Sequence, residues 1–121
     1  MASILIIEDD PDMRALLSEV LGAAGHDVFV AADGEEGSRA LLAKAPDLVI
    51  TDIVMPEKDG LDVLLELRSR KQGPKIIAIS GTPAHWMVLK TAQDLGAHRI
   101  LAKPFTRRDF VDLVDGVLDG D

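Results

Sequence analysis

The residues able to do chemistry stand where apolar runs end. Ile4–Ile7 runs into Glu8, Asp9 and Asp10, and Leu48–Ile50 runs into Thr51 and Asp52. Ile76–Ile79 ends at Ser80, and Arg99–Ala102 ends at Lys103. If these runs are parallel strands, two acidic sites, a hydroxyl and an amine converge on one edge of a sheet, where such folds bind ligands. Clustered carboxylates repel one another, and a hard cation such as Mg²⁺ relieves that repulsion. A carboxylate can attack phosphorus and form an acyl phosphate. The group in transfer carries negative charge on its oxygens, so it needs a metal, a cation and a hydrogen-bond donor around it. In that chemistry Asp52 is the nucleophile, Glu8 and Asp9 help hold Mg²⁺, and Lys103 and Ser80 contact phosphoryl oxygens. Each residue alone has a plainer role. An acid after a strand often caps the next helix, as Asp10 is placed to do. A lone serine usually makes a turn or cap, and a lone lysine is usually solvated. Their joint placement favours the reaction.

The elements that must position them read as alternating strands and helices. After Asp10 as N-cap and Pro11 as first helical residue, Met13, Leu16, Leu17, Val20 and Leu21 form one helical stripe, and Gly25 stops it. Val28–Ala32 reads as a second strand and Glu35–Lys44 as a helix ended by Pro46. After the third strand and the loop Val54–Gly60, Leu61, Leu64 and Leu65 start a third helix. Gly73-Pro74 is a turn before the fourth strand. Thr82-Pro83 reads as a cap followed by a helix with Val88, Ala92 and Leu95, stopped by Gly96. In the last helix, Thr106 and Asp109 fit a capping box and Phe105 with Phe110 a hydrophobic staple. Its core stripe is Phe110, Leu113, Val114, Val117 and Leu118. Five strand–helix pairs, with strands apolar enough to be buried on both faces, predict a doubly wound parallel α/β sheet. With the order 2-1-3-4-5, strands 1 and 3 are neighbours and Glu8 and Asp9 face Asp52. Residues 1–121 read as one domain, and a (β/α)8 barrel needs about twice the length.

With 47% hydrophobic residues the chain has enough apolar material for a core, so disorder is not expected. There are no cysteines, which removes disulfides and thiolate metal sites and agrees with a cytoplasmic setting. The N-terminus reads as neither a signal peptide nor a membrane span. A net charge of −8 argues against direct nucleic-acid binding.

Four segments, IIEDD (6–10), VITDIVMPEKDG (49–60), IIAISG (76–81) and AKPF (102–105), are similar to the receiver domains of two-component response regulators. They follow that family's order over nearly all the chain, and the combination of acid pair, D-x-x-M-P-x-x-D-G, hydroxyl and K-P-F is specific. The resemblance implies a flavodoxin-like (βα)5 fold and a phosphorylation-dependent switch. Asp52 is then the phosphoacceptor, charged from a sensor histidine kinase or a histidine phosphotransfer protein. Asp9 ligates Mg²⁺ directly, Glu8 directly or through water, and the backbone carbonyl of Val54 adds a ligand. Ser80 is the switch hydroxyl, Lys103 pairs with the phosphoryl group, and the peptide before Pro104 is cis. Pro56 and Gly60 shape the loop after the acceptor, while Met55 and Phe105 pack. The task is regulatory, with self-catalysed phosphorylation and dephosphorylation. It alters the surface around the fourth helix and fifth strand for a downstream protein target, as a monomer or a phosphorylation-dependent homodimer. The chain departs from the pattern at Glu8, commonly an aspartate, at Ile100, where the switch residue is usually aromatic, and at Gly81, a looser residue than alanine.

Two other readings compete. A small Asp-nucleophile phosphatase of the haloacid dehalogenase type carries D-x-D, but the residue two after Asp52 is Val54. A nucleotide- or flavin-binding module would show phosphate-binding glycines, and neither G-x-G-x-x-G nor G-x-x-x-x-G-K-[ST] occurs. His26, His85 and His98 lack metal spacing and read as surface or helix-end residues. Trp86 reads as partial core rather than as a docking anchor.

Overall fold

The computed structural model describes residues 2–53, 73–81, 85–94 and 96–120, with the backbone alone for 85–89. Val54 and the rest of the loop after Asp52, the helix expected from Leu61, the cap at Thr82-Pro83, Leu95, and the side chains of His85, Trp86 and Val88 lie outside what is described. Five strands, β1 (Ser3–Ile7), β2 (Asp27–Ala31), β3 (Leu48–Asp52), β4 (Lys75–Ser80) and β5 (Arg99–Ala102), form one sheet in the order β2-β1-β3-β4-β5. Every pairing is parallel. Between them lie α1 (Pro11–Ala23), α2 (Gly34–Lys44), α3 (His85–Asp94) and α4 (Arg107–Leu118).

Strand alternation divides the core into two layers. Ile4, Ile6, Leu48, Ile50, Ile77 and Ile79 pack with Leu17, Val20 and Leu21 of α1 and Phe110, Val114 and Val117 of α4. Leu5, Ile7, Val49, Ile76 and Ala78 face the other way, onto Leu41 of α2 and Ala92 of α3. Each large side chain so buried contributes roughly 1.5–3 kcal/mol. On this second face α2 comes very near β1: a Cβ at Gly37 would stand 2.5 Å from Ile7 Cδ1.

The helix ends follow local chemistry. Asp10 caps α1 by accepting from Asp12 N at 3.0 Å, after which Pro11 begins the helix. Thr106 Oγ1 accepts from Asp109 N at 3.0 Å, the N-cap half of the expected box, and the rings of Phe105 and Phe110 stack 5.6 Å apart, as the staple predicts. Gly25 and Gly96 follow α1 and α3 with φ of 94° and 118°, the left-handed turn expected of a stop.

Three details differ from the sequence reading. Asp33 caps α2 by accepting from Glu36 N at 2.8 Å, so the helix begins at Gly34. Its other end turns at Ala45, left-handed with φ 44°, before Pro46. The edge strands are also less covered than continuous burial implies. In β2, which spans 27–31 rather than 28–32, Val30 is 43% exposed, and every residue of β5 is only half-buried. An edge strand has a neighbour on one side only, and the helices cover it incompletely.

Candidate functional site

Sheet order brings the chemical residues together. β1 and β3 are neighbours, paired Ile7 with Thr51, and β3 pairs Asp52 with Ile79 of β4. The ladders run past the strand ends: Glu8 N donates to Ala31 O, Ile53 N to Ile79 O and Lys103 N to Ser80 O. Glu8 falls two residues after Ile6, Asp52 two after Ile50 and Lys103 two after Leu101. All three predecessors belong to the layer under α1 and α4. Alternation therefore sends the three charged side chains to one side of the edge.

Lys103 Nζ lies 2.6 Å from Glu8 Oε1 and 3.1 Å from Asp52 Oδ2. Glu8 and Asp52 are 1% and 7% exposed, whereas Asp9 is exposed. One carboxylate oxygen from each of Glu8, Asp9 and Asp52 lies within 4.8 Å of the others. Three hard oxygen donors around one point suit a divalent cation that keeps some of its own water. Burial, and then the hydrogen bond to Asp52, push the Glu8 carboxyl up to about 7, with Lys103 opposing. Burial alone would lower the Lys103 ammonium, but its bonds to Glu8 and Asp52 outweigh that and raise it. Ser80 is wholly buried at the end of β4.

The expected residues Glu8, Asp9, Asp52 and Lys103 thus meet, with Ser80 on the adjoining strand end. Ile100 lies elsewhere, opposite Ala78 in the register and packed against the core layer under α2 and α3. The Lys103–Pro104 peptide is cis. Sequence reasoning missed Arg14, whose guanidinium donates to the backbone carbonyl of Glu8 at 2.9 Å. The available signal was position: Arg14 sits four residues after the cap Asp10, on the helix turn that faces the acid pair.

A family model described as response regulator receiver domain matches residues 4–115. The transcriptional regulatory protein CpxR of Klebsiella pneumoniae is 39% identical over 98% of the chain, and that of Escherichia coli K12 is 37% identical over 98%. The chain spans about half the length of these relatives, 50% in each. Among solved structures, the receiver domain of NtrX from Brucella abortus superposes with a TM-score of 0.90 at 28% identity, covering 98% of this chain and 99% of that one. The chemotaxis protein CheY4 of Vibrio cholerae gives 0.83 at 27%, covering 97% and 98%. The chain belongs to the response regulator receiver domains of two-component systems, a family whose role is phosphorylation-dependent signalling. Among the described residues, no helix is long and apolar enough to cross a membrane.

Proposed function

We propose that Asp52 accepts a phosphoryl group from a phosphohistidine on a sensor histidine kinase or histidine phosphotransfer protein. The observation that carries this is the ammonium of Lys103 set between Glu8 and Asp52, with Asp9 beside them. An oxygen of Asp52 attacks phosphorus, the bond from phosphorus to the histidine nitrogen breaks, and an acyl phosphate is left on Asp52 while the imidazole leaves with its electron pair. Glu8, Asp9 and Asp52 are the groups that would hold Mg²⁺. When bound, Mg²⁺ supplies positive charge to phosphoryl oxygens. Lys103 is already oriented at the acceptor and exchanges its hold on the Asp52 carboxylate for the incoming phosphoryl oxygens. Ser80 supplies a hydroxyl from the next strand end, and its movement carries the change into the loop leading to α3 and into β5, the surface a downstream protein target reads. The domain acts on itself rather than turning over a separate substrate.

Mass spectrometry after incubation with acetyl phosphate and Mg²⁺ tests this. The expected result is a gain of about 80 Da, one phosphoryl group, on Asp52. Continuous release of phosphate from many monoesters, with no adduct, would instead indicate a phosphatase.

A further inference from the structure

We infer that Arg14 is a positioning residue: it holds the turn that carries Asp9, and so sets where that carboxylate meets those of Glu8 and Asp52. The inference rests on reading these three acids as the groups that hold Mg²⁺. β1 ends at Ile7 and α1 begins at Pro11, so Glu8, Asp9 and Asp10 alone make the turn between them. Arg14, on the first turn of α1, bonds to the main chain on both sides of Asp9. Its amide donates to Asp10 O at 2.9 Å, and its guanidinium donates to Glu8 O, also at 2.9 Å. The second of these carbonyls belongs to the peptide that joins Glu8 to Asp9. A peptide unit is planar, so holding its oxygen holds its plane and with it the Cα of Asp9. On the far side, Asp10 N donates to Glu8 Oε2 at 3.3 Å, which ties the next peptide back to the same acid.

Glu8 and Asp52 are buried, and packing restrains them. Asp9 is exposed, yet one of its carboxylate oxygens lies within 4.8 Å of one from each of the other two. Its placement therefore depends on the main chain that flanks it. Groups that orient metal ligands from behind matter to affinity, and their loss typically weakens metal binding by about 10–100-fold.

The test is calorimetric titration of the unphosphorylated protein with Mg²⁺, for wild type, Arg14→Met and Arg14→Lys. Methionine keeps an apolar stem and removes the donors, whereas lysine keeps a donating end. Arg14→Met should bind Mg²⁺ about tenfold more weakly, and Arg14→Lys should stay within about threefold of wild type. The sign separates this role from two others. By charge alone, removing a cation beside three carboxylates would strengthen the binding of Mg²⁺. A role confined to stability would leave the affinity of the folded protein unchanged. Either result overturns the inference. Amide NMR of the Mg²⁺-free protein gives a second readout. The Asp9 N–H belongs to the peptide that Arg14 holds, so its resonance should move in Arg14→Met and move less in Arg14→Lys. An unmoved Asp9 resonance would refute the clamp. A wild type that binds no Mg²⁺ would sink the metal reading and the inference with it, whereas wild-type binding that Arg14→Met leaves unchanged sinks the inference alone. If Arg14→Met does not fold, Arg14→Gln, whose amide stops short of the carbonyl, is read in its place by the same criteria.

Discussion

At the carboxyl edge of the sheet, Glu8, Asp52 and Lys103 meet one another, side chain to side chain, from strands far apart in sequence. At the amino edge the polar side chains meet backbone instead. Ser3 N donates to Asp47 Oδ2 at 2.9 Å, Ile76 N to His98 Nδ1 at 3.0 Å and Ala2 N to His26 Nδ1 at 3.1 Å, while Lys75 Nζ donates to Val117 O at 2.7 Å. Both edges lie beyond the strand ends, where backbone groups run out of ladder partners. The amino edge uses its side chains to supply those partners, and each bond is complete in itself. Among the described residues, the carboxyl edge sets the carboxyl groups of Glu8, Asp9 and Asp52 against the ammonium of Lys103, an arrangement suited to a bound divalent cation. A cleft of about 830 Å³ opens at the amino edge among Asp47, Lys75 and Asp115. That cleft is lined by none of Glu8, Asp52, Ser80 or Lys103.

The largest separation of the two edges should come from Asp52→Asn. This near-isosteric change should abolish the phosphoryl adduct while leaving the circular dichroism of the fold intact. Undiminished labelling would move the acceptor elsewhere and dissolve the distinction.

Mg²⁺ should sharpen it further. A ligand held only by the folded form stabilises by about 2.7 kcal/mol at a hundred times its dissociation constant, so the thermal midpoint should rise with Mg²⁺. Asp9→Ala should remove most of that rise, whereas Lys75→Ala at the other edge should leave it unchanged. An equal loss in both variants would show that the metal does not select the acid cluster.

Asp47→Ala should do the reverse. Losing the acceptor for Ser3 N should cost about 1 kcal/mol, seen in denaturant unfolding, with phosphoryl uptake and the Mg²⁺ response unaltered. A tenfold change in uptake would join the two edges into one functional unit.

His98 offers a smaller test. Burial first, then Lys75 and Arg99, lower its proton affinity from the ordinary 6.5. The unfolded chain therefore binds that proton more readily. The bond from Ile76 N contributes fully above about pH 6.5 and is lost as the pH falls below it. His98→Ala should flatten the decline in stability between neutral and mildly acid pH. An unchanged slope would remove His98 as its source.

The smallest expected change is at Ile100. It is β-branched, stiff at its first torsion and already packed on the core layer with Ala78, so it has no ring to swing inward. With a phosphoryl mimic such as beryllofluoride, backbone chemical shifts should change around Ser80 and the start of α3 more than at Ile100. Changes centred on Ile100 would contradict this.

Local signals in this chain made most of the fold legible. The i, i+3, i+4 stripes of α1 and α4, the caps Asp10 and Thr106, and the stops Gly25 and Gly96 act within a few residues, and the structure agrees with them except at Leu16, which is 45% exposed and lies off the buried face of α1. Asp33 is as local a signal as these, but two glycines flank the first turn of α2 and blur the helical pattern before Glu35. The acid pair, Asp52, Ser80 and Lys103 were legible because each follows an apolar run directly, and their two-residue offsets from Ile6, Ile50 and Leu101 were also there to be counted.

Other features depend on which strands become neighbours. That Lys103 lies nearer Glu8 than Asp52 joins residues 95 apart in the chain, and only the order β2-β1-β3-β4-β5 and its register bring them together. Asp47 with Ser3 and His98 with Ile76 are set the same way, by neighbouring strands whose amino ends lie side by side. The amino-acid sequence by itself determined the elements and the kinds of group at their ends, because backbone preference and burial act over short spans. Tertiary structure alone decided which of those groups touch, because contact depends on the packing of distant segments to within tenths of an ångström.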